Sequence, residues 1–222
     1  MILHDVPQNT DAWFALRAGK VTASGVGGVI TPKTLKASSG LDYLNTLVAE
    51  TILGKPLNTF AGSPVTDRGH DMEADARAML SLTLDADIEE VGFISSDDGR
   101  CGASPDGKLV GIKEGTETKV PMAKAMVGYA LDPDSLYAKY RLQVQFSLWV
   151  TGWDAWHLYA FSEVLPSVYR RVEPDSDVFD AFNAHIPPFL ARIDAAVKAI
   201  RETDQYADMD ETSRAAAIAF DL

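Results

Sequence analysis

Residues 104–120 read SPDGKLVGIKEGTETKV, a pattern that predicts a turn followed by two short β-strands. Asp106 lies in the turn that enters the first strand. Glu117 and Lys119 are two residues apart on the second strand, so their side chains share one face. We therefore expect the hairpin to bring Asp106 beside Glu117 and Lys119.

Two carboxylates that converge in this way form an oxygen site of the kind that Mg²⁺ prefers. A lysine beside them can orient or deprotonate a water at the metal, so Asp106, Glu117 and Lys119 favour metal-assisted phosphodiester hydrolysis. The spacing alone leaves two alternatives open. Lys108 follows Asp106 at the same distance as Lys119 follows Glu117. The Glu117–Lys119 pair can also be an exposed ion pair, worth about 0–1 kcal/mol.

The rest of the chain predicts an α/β fold, with a central mixed β-sheet flanked by helices. Capping and turn residues set the expected boundaries. The predicted helices cover 10–19, 41–53, about 63–84, about 132–150 and 177–201, and the predicted strands cover 88–94, 108–112, 115–120, 155–161 and 168–172. Residues 21–30 predict a second short helix or turn.

Glu73 is a further candidate for the metal site. It lies on the helix that begins at Ser63-Pro64, with His70 one turn before it and Arg77 one turn after it. One interpretation places Glu73, with His70, at the rim of the metal site. The other is an ion pair between Glu73 and Arg77, four residues apart on one helix face.

Two more groups of side chains have both a functional and a structural interpretation. Gln143 and Gln145 lie in a half-buried helix, where amides need hydrogen-bond partners. Either Gln143 faces the metal site, or both amides form hydrogen bonds within the core. Arg17 and Ser24 flank a segment of small residues and suit an anion pocket. The alternative is an arginine that ends a helix and a serine that caps one.

The composition describes a globular chain: 222 residues, 46% hydrophobic, with Cys101 as its one cysteine. This excludes an internal disulfide framework, and we expect neither a signal peptide nor a membrane span, which favours the cytoplasm. The net charge of −12 argues against a nucleic-acid partner. However, residues 1–60 carry a net +1 and residues 202–222 a net −5, and bound metal ions would offset part of the acidity.

Five segments in the same order resemble the viral-type alkaline exonucleases (YqaJ-like) of the PD-(D/E)XK nuclease superfamily, the family that includes phage lambda exonuclease. The resemblance covers about two thirds of the chain and selects Lys119 rather than Lys108. It implies a restriction-endonuclease-like core within one nuclease domain, 1–222, with a helical part (1–60), a catalytic core (61–161) and a C-terminal strand, helix and acidic tail (162–222). The matching segments are 12–17 with 22–24, 68–77, 104–107, 117–121 and 143–150.

The resemblance also implies a role for each matching residue. Asp106 and Glu117, with the Thr118 carbonyl, would bind two Mg²⁺ ions, for which Mn²⁺ can substitute. Lys119 would activate the attacking water. The remaining implied positions are Glu73 and Gln143 in the active centre, Arg17, Ser24 and Ser104 around a 5′-phosphate, Lys124 as a basic contact, and His70 as a metal ligand in distant superfamily members only.

The family activity that follows is 5′→3′ digestion of one strand of linear double-stranded DNA to mononucleotides, leaving a 3′ overhang. Its members form a ring-shaped homotrimer and work with a single-strand annealing protein in phage or prophage recombination. Three alternatives remain: an endonuclease on the same fold, a DNA-binding protein without activity, and a hydrolase of a small phosphate ester.

Overall fold

The structure, a computed structural model, describes residues 1–57 and 72–207. The described helices are α1 (Asp11–Arg17), α2 (Leu41–Leu53), α3 (Glu73–Leu84), α4 (Ala123–Leu131), α5 (Pro133–Thr151), α6 (Ser176–Arg201) and α7 (Asp204–Ala207), with a 3-10 turn at Val26–Gly28. The described strands are β1 (Ile2–His4), β2 (Val21–Thr22), β3 (Ile88–Glu89), β4 (Phe93–Ser95), β5 (Cys101–Ala103), β6 (Gly107–Leu109), β7 (Glu114–Lys119), β8 (Ala155–Ala160) and β9 (Val168–Val172).

The strands form two sheets. One has the order β3-β6-β7-β8-β9, in which β7 and β8 are parallel and the other neighbours antiparallel. The other has the order β1-β4-β5-β2, with β2 and β5 parallel. Helices pack against these sheets, so the predicted α/β class with a mixed sheet is confirmed.

The predicted strand over 88–94 is wrong in one respect, because it is two strands in different sheets. β3 pairs with β6, whereas β4 pairs with β1 and β5. Gly92 lies between them, and a Cβ at this position would lie 2.0 Å from the carbonyl oxygen of Val6. The N-terminal segment therefore approaches the backbone too closely for any residue but glycine at position 92. This contact lies at the break between β3 and β4.

Several helix boundaries match the sequence signals. Thr10 caps α1 by accepting a hydrogen bond from the Trp13 amide. α2 ends at Gly54 and α5 at Gly152, both in the left-handed conformation. The sequence did not predict β1, β2, β5, α4 or α7, and the short helix or turn expected over 21–30 is strand β2 followed by the 3-10 turn at Val26–Gly28. The predicted helix start at Ser63-Pro64 and the acidic tail after Ala207 lie outside the described residues.

Helix α5 is central because it packs on both sides. Leu142, Phe146 and Val150 contact a cluster formed with α2 and α6. Val144 and Leu148 contact a second cluster that includes α4 and strand β8. Truncating a fully buried side chain such as Phe146 to alanine costs about 3–5 kcal/mol. This double packing fixes the rotation of α5 and hence the direction of its polar side chains.

Among the described helices, none is long and apolar enough to cross a membrane.

Candidate active site

The β6–β7 hairpin brings Asp106, Glu117 and Lys119 together. The Asp106 amide donates to the Thr116 carbonyl at 3.1 Å, and the Thr118 amide donates to Asp106 Oδ2 at 2.5 Å. Lys119 Nζ donates to Glu117 Oε1 on the same face of β7. Lys108, the alternative lysine, instead pairs with Glu89 Oε1 at 2.6 Å on the neighbouring strand.

The charges of these three side chains are strongly linked. Burial, followed by the neighbouring Glu117 carboxylate, raises the pKa of Asp106 well above its usual range. Burial acts to lower the pKa of Lys119, but the carboxylates of Glu117 and Asp106 outweigh it and raise that pKa. The lysine is therefore an ammonium that donates to Glu117 beside the Asp106 carboxyl group.

Gln143 reaches this cluster from α5. Its Nε2 donates to Glu117 Oε1 at 2.6 Å, so Glu117 accepts from both the amide and Lys119. Gln145, two residues on, is fully buried and donates to the Tyr137 hydroxyl at 3.1 Å and the Glu173 carbonyl at 2.8 Å. The two amides thus differ: Gln143 orients Glu117, and Gln145 joins elements of the core.

Glu73, at the start of α3, lines an open cleft of about 400 Å³ together with Asp106. Its charge adds to the influences that raise the pKa of Asp106. Arg77, the alternative partner of Glu73, has its Nη2 on Glu90 Oε1. His70 lies outside the described residues. Glu73 and Asp106 therefore line the same cleft, and a role of Glu73 in a metal site stays a prediction.

Arg17 joins the two predicted serines. Its Nη1 donates to Ser104 Oγ at 3.0 Å and its Nη2 to Ser24 Oγ at 3.4 Å. The guanidinium carbon lies 4.2 Å from the centre of the Trp13 ring. Burial lowers the pKa of Arg17, though an arginine remains charged. We call this set, Arg17, Ser24 and Ser104, the arginine pocket.

The arginine pocket and the carboxylate cluster are adjacent. Ser104 and Asp106 are separated by one residue, and an extended chain advances about 3.3–3.6 Å per residue. Their Cα atoms therefore lie within about 7 Å of each other. Lys124 is exposed in the first turn of α4. Within residues 1–57 and 72–207, no hydrogen bond or ion pair joins Lys124 to the arginine pocket or to the carboxylate cluster.

Two residues that hold this turn were not assigned roles from the sequence. Trp13 Nε1 donates to Ser104 Oγ at 3.1 Å and to the Gly92 carbonyl at 3.2 Å. Gln8 Nε2 donates to the carbonyls of Val91 and Pro105, both at 2.8 Å. Trp13 lies inside a matching family segment, which is a signal of importance. Gln8 has none, because its partners are remote in sequence.

The residues present suit Mg²⁺. A divalent cation stabilises the ionised form of Asp106, which burial and the neighbouring Glu117 carboxylate disfavour, and Mg²⁺ accepts one or two carboxylates with water in the other positions. Within the described ranges, no set of three or more His, Cys, Asp or Glu side chains forms a metal cluster. Asp106 and Glu117 supply carboxylate oxygens, the hard ligands that Mg²⁺ prefers.

The fold and this arrangement define a nuclease of the PD-(D/E)XK type, and comparison with known proteins agrees. Residues 12–154 match the YqaJ-like viral recombinase domain, so the chain belongs to that family. No curated protein sequence matches the chain.

Solved structures with a similar fold include those of two exonucleases. The alkaline exonuclease LHK-Exo from Laribacter hongkongensis, also solved in complex with dAMP, is 27% identical with a TM-score of 0.76, covering 86% of this chain and 96% of its own. A phage-related exonuclease from Haemophilus somnus 129PT is 15% identical with a TM-score of 0.57, covering 81% and 92%, which supports the fold alone.

Proposed function

We propose that the protein is a Mg²⁺-dependent DNA exonuclease that digests one strand of linear duplex DNA in the 5′→3′ direction from a 5′-phosphorylated end. It releases mononucleotides and leaves a 3′ single-stranded overhang for recombination by strand annealing. Family membership and the similarity to LHK-Exo support DNA exonuclease activity. The direction and the end preference rest on the arginine pocket.

The single observation that carries this proposal is the short link between the arginine pocket and the carboxylate cluster. Arg17 contacts Ser104 directly, and Asp106 follows two residues later. A terminal phosphate bound by the arginine pocket would hold the next phosphodiester beside Asp106 and Glu117. The pocket would thus select the strand end and set the product at one nucleotide.

Asp106 and Glu117, with the Thr118 carbonyl, would hold two Mg²⁺ ions, with Mn²⁺ as a substitute. Bound there, the ions would lower the pKa of the attacking water and stabilise negative charge on the leaving 3′-oxygen. Lys119 would orient and activate that water, a role that its hydrogen bond to Glu117 supports.

Gln143 would keep one Glu117 oxygen in a fixed direction through its 2.6 Å hydrogen bond. Glu73 would contribute its carboxylate to the active centre from the edge of the cleft. His70 and Lys124 would contact metal or DNA at the periphery of this site, as the resemblance implies. Together these side chains would hold the attacking water and the phosphodiester in fixed relative positions, which contributes strongly to the rate of hydrolysis.

Assembly follows from the family resemblance. We propose a ring-shaped homotrimer that encircles the DNA and acts with a single-strand annealing protein in the cytoplasm of a bacterial host. Light scattering in solution tests the trimer, and a threefold monomer mass is the expected result. A monomer that digests long DNA processively would contradict the ring.

The activity is tested with linear duplex DNA carrying 5′-phosphates and the same DNA as a covalently closed circle, each with Mg²⁺ and with a chelator. We expect the linear DNA to be lost to mononucleotides only with Mg²⁺, while the circle stays intact. Cutting of the circle would instead identify an endonuclease on the same fold. No digestion of either form would refute the proposed function.

A further inference from the structure

Tyr140, on α5 beside the active site, has two lysine ammonium groups near its ring. Lys119 Nζ and Lys139 Nζ each lie 5.0 Å from the ring centre. The two ammonium groups are therefore at most about 10 Å apart, twice 5.0 Å. Lys119 is the lysine of the carboxylate cluster, so Lys139 places a second cation close to where a phosphodiester would be cut.

Lys139 is exposed, and its ammonium group lies between two aromatic rings. Its Nζ also lies 5.9 Å from the centre of the Tyr129 ring. Hydrogen bonding to the Tyr129 and Tyr140 side chains raises the pKa of Lys139, which keeps it charged at neutral pH. Two aromatic side chains therefore restrain an ammonium group that still faces solvent.

Within the described part of the chain, none of the ion pairs includes Lys139. Asp134, in the first turn of the same helix, pairs instead with Arg170 at 2.5 Å. In a chain with a net charge of −12, an ordered and unneutralised cation beside the active site is suited to a phosphate ligand.

We propose that Lys139 binds a backbone phosphate of the DNA strand next to the phosphodiester that is cut. This inference rests on the proposed function and adds a DNA contact to it. Each phosphate neutralised by a lysine releases counterions, so one contact contributes about −0.9 to the slope of log K against log salt concentration. At 0.1 M salt that slope corresponds to about an eightfold gain in affinity relative to 1 M.

The test measures binding of a fluorescent linear 5′-phosphorylated duplex, with Ca²⁺ in place of Mg²⁺ to prevent digestion, between about 50 and 200 mM salt. The variants are Lys139→Met and Lys139→Arg. Lys198→Met is the matched control, because Lys198 is an exposed lysine on α6 that pairs with Glu202. Lys139→Met should make the negative slope shallower by about 0.9. It should also raise KM more than it lowers kcat.

We expect Lys139→Arg to restore the slope and Lys198→Met to keep it. An unchanged slope in Lys139→Met would overturn the inference, as would weaker binding with the same slope. An equal effect of Lys198→Met would also overturn it, because the effect would then come from net charge alone. If the wild-type protein digests DNA and Lys139→Met keeps the wild-type slope, only this inference fails. A wild-type protein without nuclease activity would refute the proposed function itself.

Discussion

Replacing Arg17 with methionine removes the cation of the arginine pocket while preserving much of the side-chain volume. Ser104 Oγ still accepts from Trp13 Nε1 at 3.1 Å, so the turn that carries Asp106 keeps a hydrogen bond. Hydrogen bonds that involve a charged group contribute about 1.5–3 kcal/mol each. With a tenfold rate change per about 1.36 kcal/mol, losing one such contact to a terminal phosphate lowers kcat/KM about 10- to 150-fold.

This loss should appear only on DNA that has a 5′-phosphate. The assay compares kcat/KM on 5′-phosphorylated and 5′-hydroxyl ends, and we expect Arg17→Met to abolish most of the difference. Arg17→Lys should be intermediate, because lysine keeps the charge but not the planar fork. Arg192 also lies over an aromatic ring, 5.7 Å from Phe189 on α6, so Arg192→Met is the matched control and should keep the wild-type ratio. Equal losses on both kinds of end would refute the role of the arginine pocket.

Three other outcomes are expected. Lys119→Met should abolish turnover but still bind Mn²⁺ in calorimetry, because the carboxylates lose only a competing ammonium; near-normal activity would show that Lys119 is dispensable. Gln8→Leu should free the Pro105 carbonyl and loosen the turn, so that gel analysis shows dinucleotides beside mononucleotides, whereas a slower reaction with the same products would indicate a purely structural effect. Burial lowers the pKa of His157, which also contacts Glu114, so the folded state disfavours the imidazolium and stability should fall by up to about 1.4 kcal/mol per pH unit below about 6.5. Denaturation at pH values on both sides of 6.5 measures this, and a His157→Gln variant with the same pH dependence would exclude His157 as the cause.

Local signals predicted the elements whose stabilising interactions are themselves local. The left-handed Gly54 after α2 and Gly152 after α5 end those helices where the sequence indicated. The alternating pattern of β9, Val168–Val172, also gave its bounds. By contrast, β5 is the three-residue segment Cys101–Ala103, and it is held as a strand between the neighbouring β4 and β2, which comes from a distant part of the chain.

Part of the candidate site could be predicted because it also depends on local sequence patterns. The positions of Glu117 and Lys119 follow from strand alternation, which is local. The link from Arg17 to Ser104 spans 87 residues and was available only through the family resemblance. The role of Gln8 could not be found either way, because its carbonyl partners lie 83 and 97 residues away and its own neighbours carry no motif.

The proposed selection of 5′-phosphorylated ends is tested most directly with one duplex that has a 5′-phosphate on one strand and a 5′-hydroxyl on the other, each strand labelled differently at its 3′ end. With Mg²⁺, we expect the 5′-phosphorylated strand to be digested to mononucleotides while the other survives as a single strand. Loss of both strands at equal rates, or oligonucleotides from internal cutting, would contradict it.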